Sequence, residues 1–376
     1  MAASTQTTPI WPRTRVSEVL PVDHPIVQGP FGGGLSSVEL VRVVSEAGGL
    51  GSFGVHHLAP DEIRAIGAEL HRATSRPFAL NLWVSSHDEP EEAMTRDRYE
   101  AAVTRLRPLY EQVGVEPPAR PDRFAPSFEE QAAAVLEARP RVFSFVFGIP
   151  SEGLLGEFRA AGIRTVGTAT TPDEAVALDE VGVDVIVASG AEAGGHRGAF
   201  LAEAEDSLVG TLSLVRTAVA EVGRPVVAAG GIVDGHGIAA ALSLGAEGVQ
   251  IGTAFLATEE SGTTAEHRAE LFSRRSRRTR LTRAFTGRLA RGIPNRLLSA
   301  LEDAGTIEPY PYQGYLLAPV LAAARAQGRT DVVSLWSGQG APNLVHRRAG
   351  DLYAALLAET EAVLTAVSTT QIGATP

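Results

Sequence analysis

Eight short apolar runs alternate with segments of helical periodicity along this chain, and this alternation limits its fold more than any other feature. The runs are largely continuous in apolar residues, which is typical of strands that are covered on both faces. Between them, cap residues or proline followed by acidic residues indicate helix starts, as at residues 36–39, 60–62 and 171–174. The pattern predicts an α/β fold, a (β/α)₈ TIM barrel of eight parallel strands. The predicted strands are residues 26–28, 50–53, 78–82, 142–147, 164–167, 183–188, 225–229 and 248–252.

Two long stretches interrupt this rhythm, and we interpret both as insertions over the mouth of the barrel. Residues 87–139 are too long for one crossover, and residues 258–333 separate the eighth strand from the C-terminal helix. Because the second insertion contains a helical segment, we expect a small helical lid subdomain there. The predicted division is a tail at 1–24, a barrel at 25–257, the lid at 258–333, and a C-terminal segment at 334–376 that closes on the barrel.

Two residue types are missing from the chain, and their absence limits its chemistry. It contains no cysteine, which excludes disulfides, thiolate nucleophiles and thiolate metal ligands. All 33 basic residues are arginine, which excludes a lysine Schiff base and a Walker-type phosphate lysine. Redox chemistry in this chain therefore needs a bound cofactor.

The charge and hydropathy of the chain restrict its location and partners. Its longest apolar runs are of strand length, well short of the roughly 20 residues that cross a bilayer. The polar, threonine-rich first residues show no signal-peptide pattern, so we expect a cytoplasmic protein without a membrane partner. A net charge of −11 disfavours binding to nucleic acid. The oligomeric state stays open, with a homodimer as one option.

Two local clusters of basic residues receive a structural interpretation. The arginine-rich stretch at 274–291 lacks the aromatic interleaving that stacks on bases. It predicts a solvated or interface helix whose arginines pair with acidic residues or line the entrance for an acidic ligand. Adjacent His56 and His57 follow the second strand without a matching cluster of acids, so a solvated loop is favoured over a metal site.

Glycine-rich loops follow the first, seventh and eighth predicted strands. The first strand ends in a glycine-rich loop at 28–34, which alone is also typical of a flexible turn before a helix. Glycines at 230–231 and the pair Gly252 and Thr253 follow strands seven and eight, where barrels most often hold a phosphate. Small residues free the backbone N–H groups at a helix start to point at an anion. The paired loops therefore predict a phosphate site.

The loop after the sixth strand, residues 189–198, contains the strongest local signal. Gly194 and Gly195 let a flat ring approach the backbone, and His196 follows them directly. Imidazole exchanges protons near neutral pH and can stabilise developing negative charge, so His196 is the candidate catalytic residue, with a structural cap as the alternative. Together with the phosphate site, this loop predicts a phosphorylated flat cofactor.

Several of these segments resemble the motifs of the nitronate monooxygenase (2-nitropropane dioxygenase) family, in the usual order. The similarity is clear from about residue 25 to 259, and it continues more loosely through 282–288 and 336–339. The motifs are Pro-Ile-Val-Gln-Gly-Pro at 25–30, Glu-Ala-Gly-Gly-Leu-Gly at 46–51, Glu-Ala-Gly-Gly-His-Arg-Gly at 192–198, and Ala-Ala-Gly-Gly-Ile at 228–232.

The resemblance implies a non-covalent FMN and the oxidation of alkyl nitronates, or of nitroalkanes, by O₂ to a carbonyl compound and nitrite. It identifies His196 as the histidine near the flavin. It places Gly230, Gly231, Gly252 and Thr253 at the FMN phosphate, Asn81 near the flavin ring, and the backbone of Pro30, Phe31 and Gly32 at the ring edge. Thr168 and Gln339 are candidates for further polar contacts. Phe31 stands where the family often has methionine, which bears on the substrate range.

Two other functions remain open at this stage. Flavin-dependent enoyl-acyl-carrier-protein reductases and quinone reductases resemble the same motifs and would use NAD(P)H, with arginines of the 274–291 stretch at its phosphates. A non-catalytic flavin carrier is the third option, which the presence of His196 among close-approach glycines argues against. In the favoured mechanism a substrate anion gives electrons to the flavin, O₂ reoxidises it, and His196 orients the anion or acts as a base.

Overall fold

Eight parallel strands form the barrel, in a computed structural model that describes residues 11–84, 88–305 and 307–372. Each predicted run contains one barrel strand, and the bounds differ by at most two residues. The predicted fold class is therefore confirmed. The strands are β1 (Ile26–Gln28), β2 (Gly51–Gly54), β3 (Phe78–Trp83), β4 (Val142–Val146), β5 (Arg164–Ala169), β6 (Val185–Ser189), β7 (Gly195–His196), β8 (Val226–Ala229), β9 (Gly248–Ile251), β10 (Arg280–Thr282) and β11 (Ala290–Gly292).

The barrel strands follow the order β1-β9-β8-β6-β5-β4-β3-β2 around the ring. A parallel bridge between Val27 and Leu50 joins the last strand back to the first, and the Gln28 N–H donates to the Leu50 carbonyl at 2.9 Å. Because the strands are parallel, their carboxyl ends all meet at one face. The loops that follow the strands therefore converge there.

Helices cover the outside of the ring, and their caps explain where they begin. The side chains of Ser37 and Thr171 accept hydrogen bonds from first-turn N–H groups, and α3 begins at Pro60, so the three predicted helix starts are confirmed. The helices are α1 (Arg15–Val19), α2 (Val38–Glu46), α3 (Pro60–Ala73), α4 (Arg96–Val113), α5 (Phe128–Ala138), α6 (Glu152–Ala160), α7 (Pro172–Glu180), α8 (Thr211–Glu221), α9 (Gly235–Ser243), α10 (Thr253–Leu256), α11 (Ala265–Leu271), α12 (Arg296–Asp303), α13 (Tyr312–Ala326) and α14 (Ala349–Ile372).

The C-terminal helix α14 completes this outer layer by packing against α9 and α2. It is longer than the other helices in the described ranges, but its sequence contains several acidic and many polar residues. Within those same ranges, no helix combines the length and the apolar character that a membrane crossing requires.

The short helix α1 closes the amino-terminal end of the barrel. Val16 and Leu20 are fully buried and pack against barrel-interior residues that include Val27 and Val142. The Thr14 hydroxyl donates to the Glu247 carbonyl at 2.6 Å, which fixes the helix to the turn before β9. The first ten residues of the predicted tail lie outside the described residues.

A second apolar core lies beside the barrel and joins the two predicted insertions. Leu106 of α4, Leu298 of α12 and Leu316 of α13 are buried within it. The helix α5, from the same predicted insertion as α4, instead packs against α3 in the outer layer of the barrel. His87, the first residue of that insertion, lies outside the described residues.

The arginine-rich stretch at 274–291 is not a helix, so that prediction was wrong. It forms a 3₁₀ turn at Arg274–Arg277 and then the hairpin of β10 and β11, which pairs with β7 in a small antiparallel sheet. The predicted pairing with acids is confirmed for Arg275 with Glu270 and for Arg283 with Glu205. Strands of two or three residues are too short for a periodic pattern to identify them.

We expect Leu20→Ala to lower the free energy of unfolding by about 2–5 kcal/mol, because it leaves a cavity at the sealed end of the barrel. Urea denaturation measures the change. Leu212→Ala, at a side chain that is 68% exposed, is the matched control and should alter stability by less than about 0.5 kcal/mol. Equal effects of the two substitutions would show that α1 does not seal the barrel.

Candidate active site

A cavity of about 490 Å³ opens at the carboxyl ends of the barrel strands. This volume falls in the range of cofactor and substrate pockets, roughly 300–1,000 Å³. The cavity brings together twelve of the thirteen residues predicted from the sequence: Pro30, Phe31, Gly32, Asn81, Thr168, Gly194, Gly195, His196, Gly230, Gly231, Gly252 and Thr253.

Gln339 is the exception among the predicted residues. Its side chain is exposed and does not line the cavity, whereas its neighbours Gly338 and Gly340 do. The Gln339 N–H donates to the Glu192 carbonyl at 2.9 Å. The motif at 336–339 therefore contributes to the site through its backbone, and the predicted polar contact from the Gln339 side chain is not supported.

Glycines let the loops around the cavity pack backbone against backbone. A Cβ on Gly194 would lie 2.4 Å from the Gly338 nitrogen, so no other residue fits there without a shift. Gly230 and Gly231 have φ angles of 108° and 73°, which favour glycine. The Thr253 hydroxyl accepts from the Gly338 N–H at 2.9 Å, so its own proton is free to donate to a ligand.

His56 lies in the cavity, so the predicted solvated loop was wrong for this residue. Its ring stacks on Trp83 with centroids 3.8 Å apart and planes 8° apart. A Cβ on Gly32 would lie 2.0 Å from this ring, which explains the glycine. Burial lowers the pKa of His56 well below its usual value, aided by the nearby charges of His57, His196 and Arg288. His57 is exposed at the rim.

Two polar side chains at strand ends are positioned to face a ligand. Asn81, near the end of β3, donates through Nδ2 to the Ser144 hydroxyl at 2.9 Å, and its Oδ1 is then left to accept. Thr168 lies near the end of β5 and also lines the cavity. Gln250 in β9 also lines the cavity, although no motif in the sequence predicted it.

His196 is held at the cavity by the small antiparallel sheet. In β7 it pairs with Ala290 of β11, and its Nε2 lies 2.9 Å from the hydroxyl of Thr286 in the hairpin turn. Burial, reinforced by the positive charge of Arg288, lowers the pKa of His196 to about 3. The imidazole is therefore neutral at pH 7 in the protein without ligand.

An aromatic wall surrounds His196 on the side away from the glycine loops. The ring centroids of Trp83 and Trp336 lie 4.7 and 5.1 Å from that of His196. Phe147 contacts Trp83 edge to face and has a φ angle of 71°, a strained conformation for a bulky residue. These rings exclude water from one side of the imidazole.

A buried arginine sits behind this wall. The Arg288 guanidinium lies over the rings of Phe147 and Tyr310, 3.9 and 4.0 Å from their centroids, and forms an ion pair with Asp88. Burial lowers the pKa of Arg288, and burial raises that of Asp88 to about 6 against the opposing effect of Arg288. Arg288 thus brings a positive charge near His196 without filling the cavity.

A metal centre finds no support in the geometry. Within residues 11–84, 88–305 and 307–372, no group of three or more histidine and acidic side chains is arranged to hold a metal ion. The site instead combines three features. They are a glycine cradle formed by the backbone of Gly230, Gly231 and Gly252, the enclosed His196, and the aromatic wall. This combination is typical of a barrel enzyme that binds a phosphorylated organic cofactor.

Comparisons with known proteins agree with this class. A family model described as nitronate monooxygenase matches residues 13–359. The nitronate monooxygenase of Pseudomonas aeruginosa is 40% identical over 350 residues, which is 92% of this chain and 98% of that protein. A probable nitronate monooxygenase of Staphylococcus haemolyticus is 36% identical over 361 residues, 95% of this chain and all of that one. The chain belongs to the nitronate monooxygenase family.

Solved structures are similar over nearly the whole chain. A nitroalkane oxidase from Streptomyces ansochromogenes superposes with a TM-score of 0.85 at 37% identity, over 94% of this chain and 100% of that one. FabK from Thermotoga maritima follows at a TM-score of 0.75 and 26% identity, over 95% and 99% of the two chains. The enoyl reductase domain of MlnA from Bacillus amyloliquefaciens, at 14% identity and a TM-score of 0.67, shares the fold alone.

The pH dependence of stability tests the environment of this site through His267. Its Nε2 lies 3.0 Å from the Trp336 carbonyl, and burial lowers its pKa to about 4. An unfolded chain takes up this proton below its ordinary pKa of 6.5, so the folded protein loses stability as the pH falls from 6.5 to 4. The loss from this group is about 2 kcal/mol between roughly pH 7 and pH 5.

We expect His267→Gln, which keeps a donor for the Trp336 carbonyl, to reduce the stability difference between these two pH values by that amount. Urea denaturation of both proteins at each pH measures it. His236→Gln, at an exposed histidine, is the matched control. A pH dependence that is identical in the wild type and His267→Gln would show that His267 is protonated to the same extent in the folded and unfolded chains.

Proposed function

We propose that this chain is an FMN-dependent nitronate monooxygenase, which oxidises alkyl nitronates with O₂ to a carbonyl compound and nitrite. It is an oxidoreductase of a flavin-dependent family. The observation that carries the proposal is that His196, the glycine loops and the aromatic wall line one cavity. The cytoplasmic location, the homodimer and the division into barrel and lid stay predictions.

The residues of the glycine cradle fit FMN by their chemistry. Gly230, Gly231 and Gly252 carry no side chain that would fill the space of a phosphate, and the Thr253 hydroxyl has a proton to donate. Asn81 and the backbone of residues 30–32 line the cavity beyond the cradle, where the flat ring would lie. When bound, FMN supplies two-electron redox chemistry between the substrate and O₂.

The role of His196 follows from its hydrogen bond and its protonation state. The Thr286 hydroxyl lies 3.4 Å from the Arg288 carbonyl, to which it donates, so it accepts a hydrogen bond from the Nε2–H group of His196. The Nδ1 of His196 then carries the lone pair, and it has no hydrogen-bond partner among the described residues. A neutral imidazole with a free Nδ1 accepts a carbon-bound proton from a nitroalkane, and the nitronate anion that results stabilises the imidazolium.

The charge of Arg288 supports binding of the anion. The ion pair with Asp88 offsets part of this charge, but the remaining positive potential still lowers the pKa of His196. The aromatic rings between this pair and the cavity lower the local dielectric and exclude water, so the attraction on a nitronate is weakly screened. The same charge disfavours protonation of His196 until the anion is present.

The reductase alternative has weaker support. The relatives named nitronate monooxygenase are 36–40% identical to this chain, whereas FabK is 26% identical. A reductase would use arginines of the 274–291 stretch to bind the nicotinamide phosphates. Four arginines of this stretch instead form ion pairs with acidic residues: Arg275, Arg280, Arg283 and Arg288. Half of the eight arginines in that stretch are therefore paired with acids, which weakens the attraction of the stretch for a nicotinamide phosphate.

An anaerobic bleaching experiment on the purified, flavin-loaded protein tests the proposed function. We expect an alkyl nitronate to remove the oxidised-flavin absorption band, while NADPH and NADH leave it unchanged. Mass spectrometry of the released flavin should identify FMN. Bleaching by a nicotinamide alone would assign the chain to the reductases, and a protein that binds no flavin would contradict both functions.

We expect His196→Asn to lower kcat/KM for a neutral nitroalkane by about 10²–10⁴-fold, because the base that removes the carbon-bound proton is lost. The pre-formed nitronate needs no such base and should lose far less. Steady-state oxygen consumption measures both, with His57→Asn at the cavity rim as the matched control. An equal loss on both substrates would make His196 an orienting residue, and unchanged turnover would remove it from catalysis.

A further inference from the structure

One face of α13 forms a wall of the cavity that none of the proposed roles uses. Gly314, Ala318, Leu321 and Arg325 all line the cavity, and their spacing of four, three and four residues places them on one side of the helix. The first three are small or apolar. Arg325, near the end of the helix, is the only arginine among the described residues that line the cavity.

Arg325 is a half-buried cation without a counter-charge among the described residues. Burial lowers its pKa, and no acidic group opposes this effect, whereas Arg288 and Arg291 are each offset by a nearby carboxylate. Among the described residues, the Arg325 guanidinium has no partner in an ion pair or a hydrogen bond. The charged form of a side chain is costly to bury unless it is paired. An unpaired arginine that faces a cavity therefore indicates an anionic ligand.

The groups around Arg325 do not supply that anion. Partial desolvation at the rim lowers the pKa of His57 against the opposing effect of Glu62, and burial lowers that of His267. The charge of Arg325 lowers both values further, so both imidazoles are neutral near pH 7. Ser334 and Leu35 line the same cavity. Because no second arginine or lysine is present there, the site suits the single negative charge of a carboxylate, which arginine binds in a bidentate manner, better than a doubly charged phosphate.

The position of Arg325 along α13 sets the length of the ligand. A Cβ on Gly314 would lie 3.9 Å from Thr286, the residue that contacts His196, so this end of the helix marks the reaction centre. Eleven residues later, Arg325 lies about 16 Å further along the axis. Because long side chains on a helix point back toward its start, we place the guanidinium roughly 10 Å from the reaction centre. An extended chain crosses this gap in roughly nine bonds.

We propose that Arg325 binds a carboxylate at the far end of an elongated substrate whose nitronate carbon reacts at His196. This inference rests on the proposed function and names its substrate class. Leu321 and Leu35 contact the methylene chain between the two ends. A substrate with a short carbon chain cannot reach both groups, so Arg325 discriminates by chain length as well as by charge.

The test compares three nitronates, those of ω-nitrodecanoate, ω-nitropropanoate and nitrodecane, with the wild type and Arg325→Gln. We expect Arg325→Gln to raise KM for the long carboxylate about 10–100-fold with kcat nearly unchanged, since a charge-assisted pair of about 1.5–3 kcal/mol is lost. The short carboxylate and the uncharged chain should change by less than about twofold, because the first does not reach Arg325 and the second has no carboxylate to pair with it. Equal changes for all three nitronates would overturn the proposal.

Arg329→Gln is the matched control, because Arg329 follows the same helix but pairs with Asp331. It should leave all three KM values unaltered. Loss of bound FMN from Arg325→Gln would assign the arginine to the cofactor and overturn the proposal.

Calorimetry on the flavin-loaded protein separates this inference from the proposed function, because it needs no turnover. We expect decanoate to bind the wild type more tightly than decyl phosphate, and to bind Arg325→Gln about 10–100-fold more weakly than the wild type. Tighter binding of decyl phosphate, or equal binding of decanoate by both proteins, would contradict the carboxylate site even if nitronates are oxidised. A protein that oxidises no nitronate but shows this difference would contradict only the proposed function.

Discussion

The close contact between two backbones, at Gly194 and Gly338, holds the rest of the site in place. A side chain on Gly194 would come within 2.4 Å of the Gly338 nitrogen, and one on Gly340 within 2.6 Å of the Gly231 carbonyl. The segment at 336–340 is thereby fixed against the loops of the sixth and seventh barrel strands. Thr253 extends the contact through its hydrogen bond to Gly338. The cradle is therefore built by three parts of the chain that are distant in sequence.

This contact also sets the electrostatics around the histidine. With the segment at 336–340 fixed, Trp336 lies beside His196, and Trp83 and Phe147 cover its other sides. Dry surroundings lower the pKa of His196 and make the charge of Arg288 effective at a distance. The same burial lowers the stability of the folded protein at low pH, because the buried imidazole stays neutral while the unfolded chain takes up a proton. Reactivity and acid lability here have the same physical origin.

The sequence predicted the features that depend on local chemistry. Apolar runs, caps such as Ser37 and Thr171, and glycine loops each have a local physical reason, so the barrel and the cradle could be identified before any contact was known. The three-residue strands β10 and β11 have no period to detect, and Trp83 could equally have been a core residue of a buried strand. His56 was misassigned because its stacking partner lies about 27 positions further along the chain, beyond any local pattern. Gln339 contacts the neighbouring loop through its backbone N–H, and the identity of a side chain does not predict a backbone contact.

Two parts of the cavity differ in how far the fold restricts their residues: the glycine cradle with His196, and the wall formed by α13. The glycine cradle and His196 come from barrel loops whose geometry requires glycine or a short polar side chain, so few substitutions are compatible with the fold. The wall formed by α13 obeys only a helical period, and at each of its cavity positions any residue of suitable size preserves the helix. Relatives that share the cradle can therefore differ along this wall. Phe31 lies at the edge of the predicted ring site, and its side chain packs against both the barrel core and the second core. We therefore expect this position to vary among relatives as the α13 wall does. The α13 wall is thus the part of the cavity that can vary most without disturbing the barrel, and we expect it to contribute more to substrate choice than the cradle does.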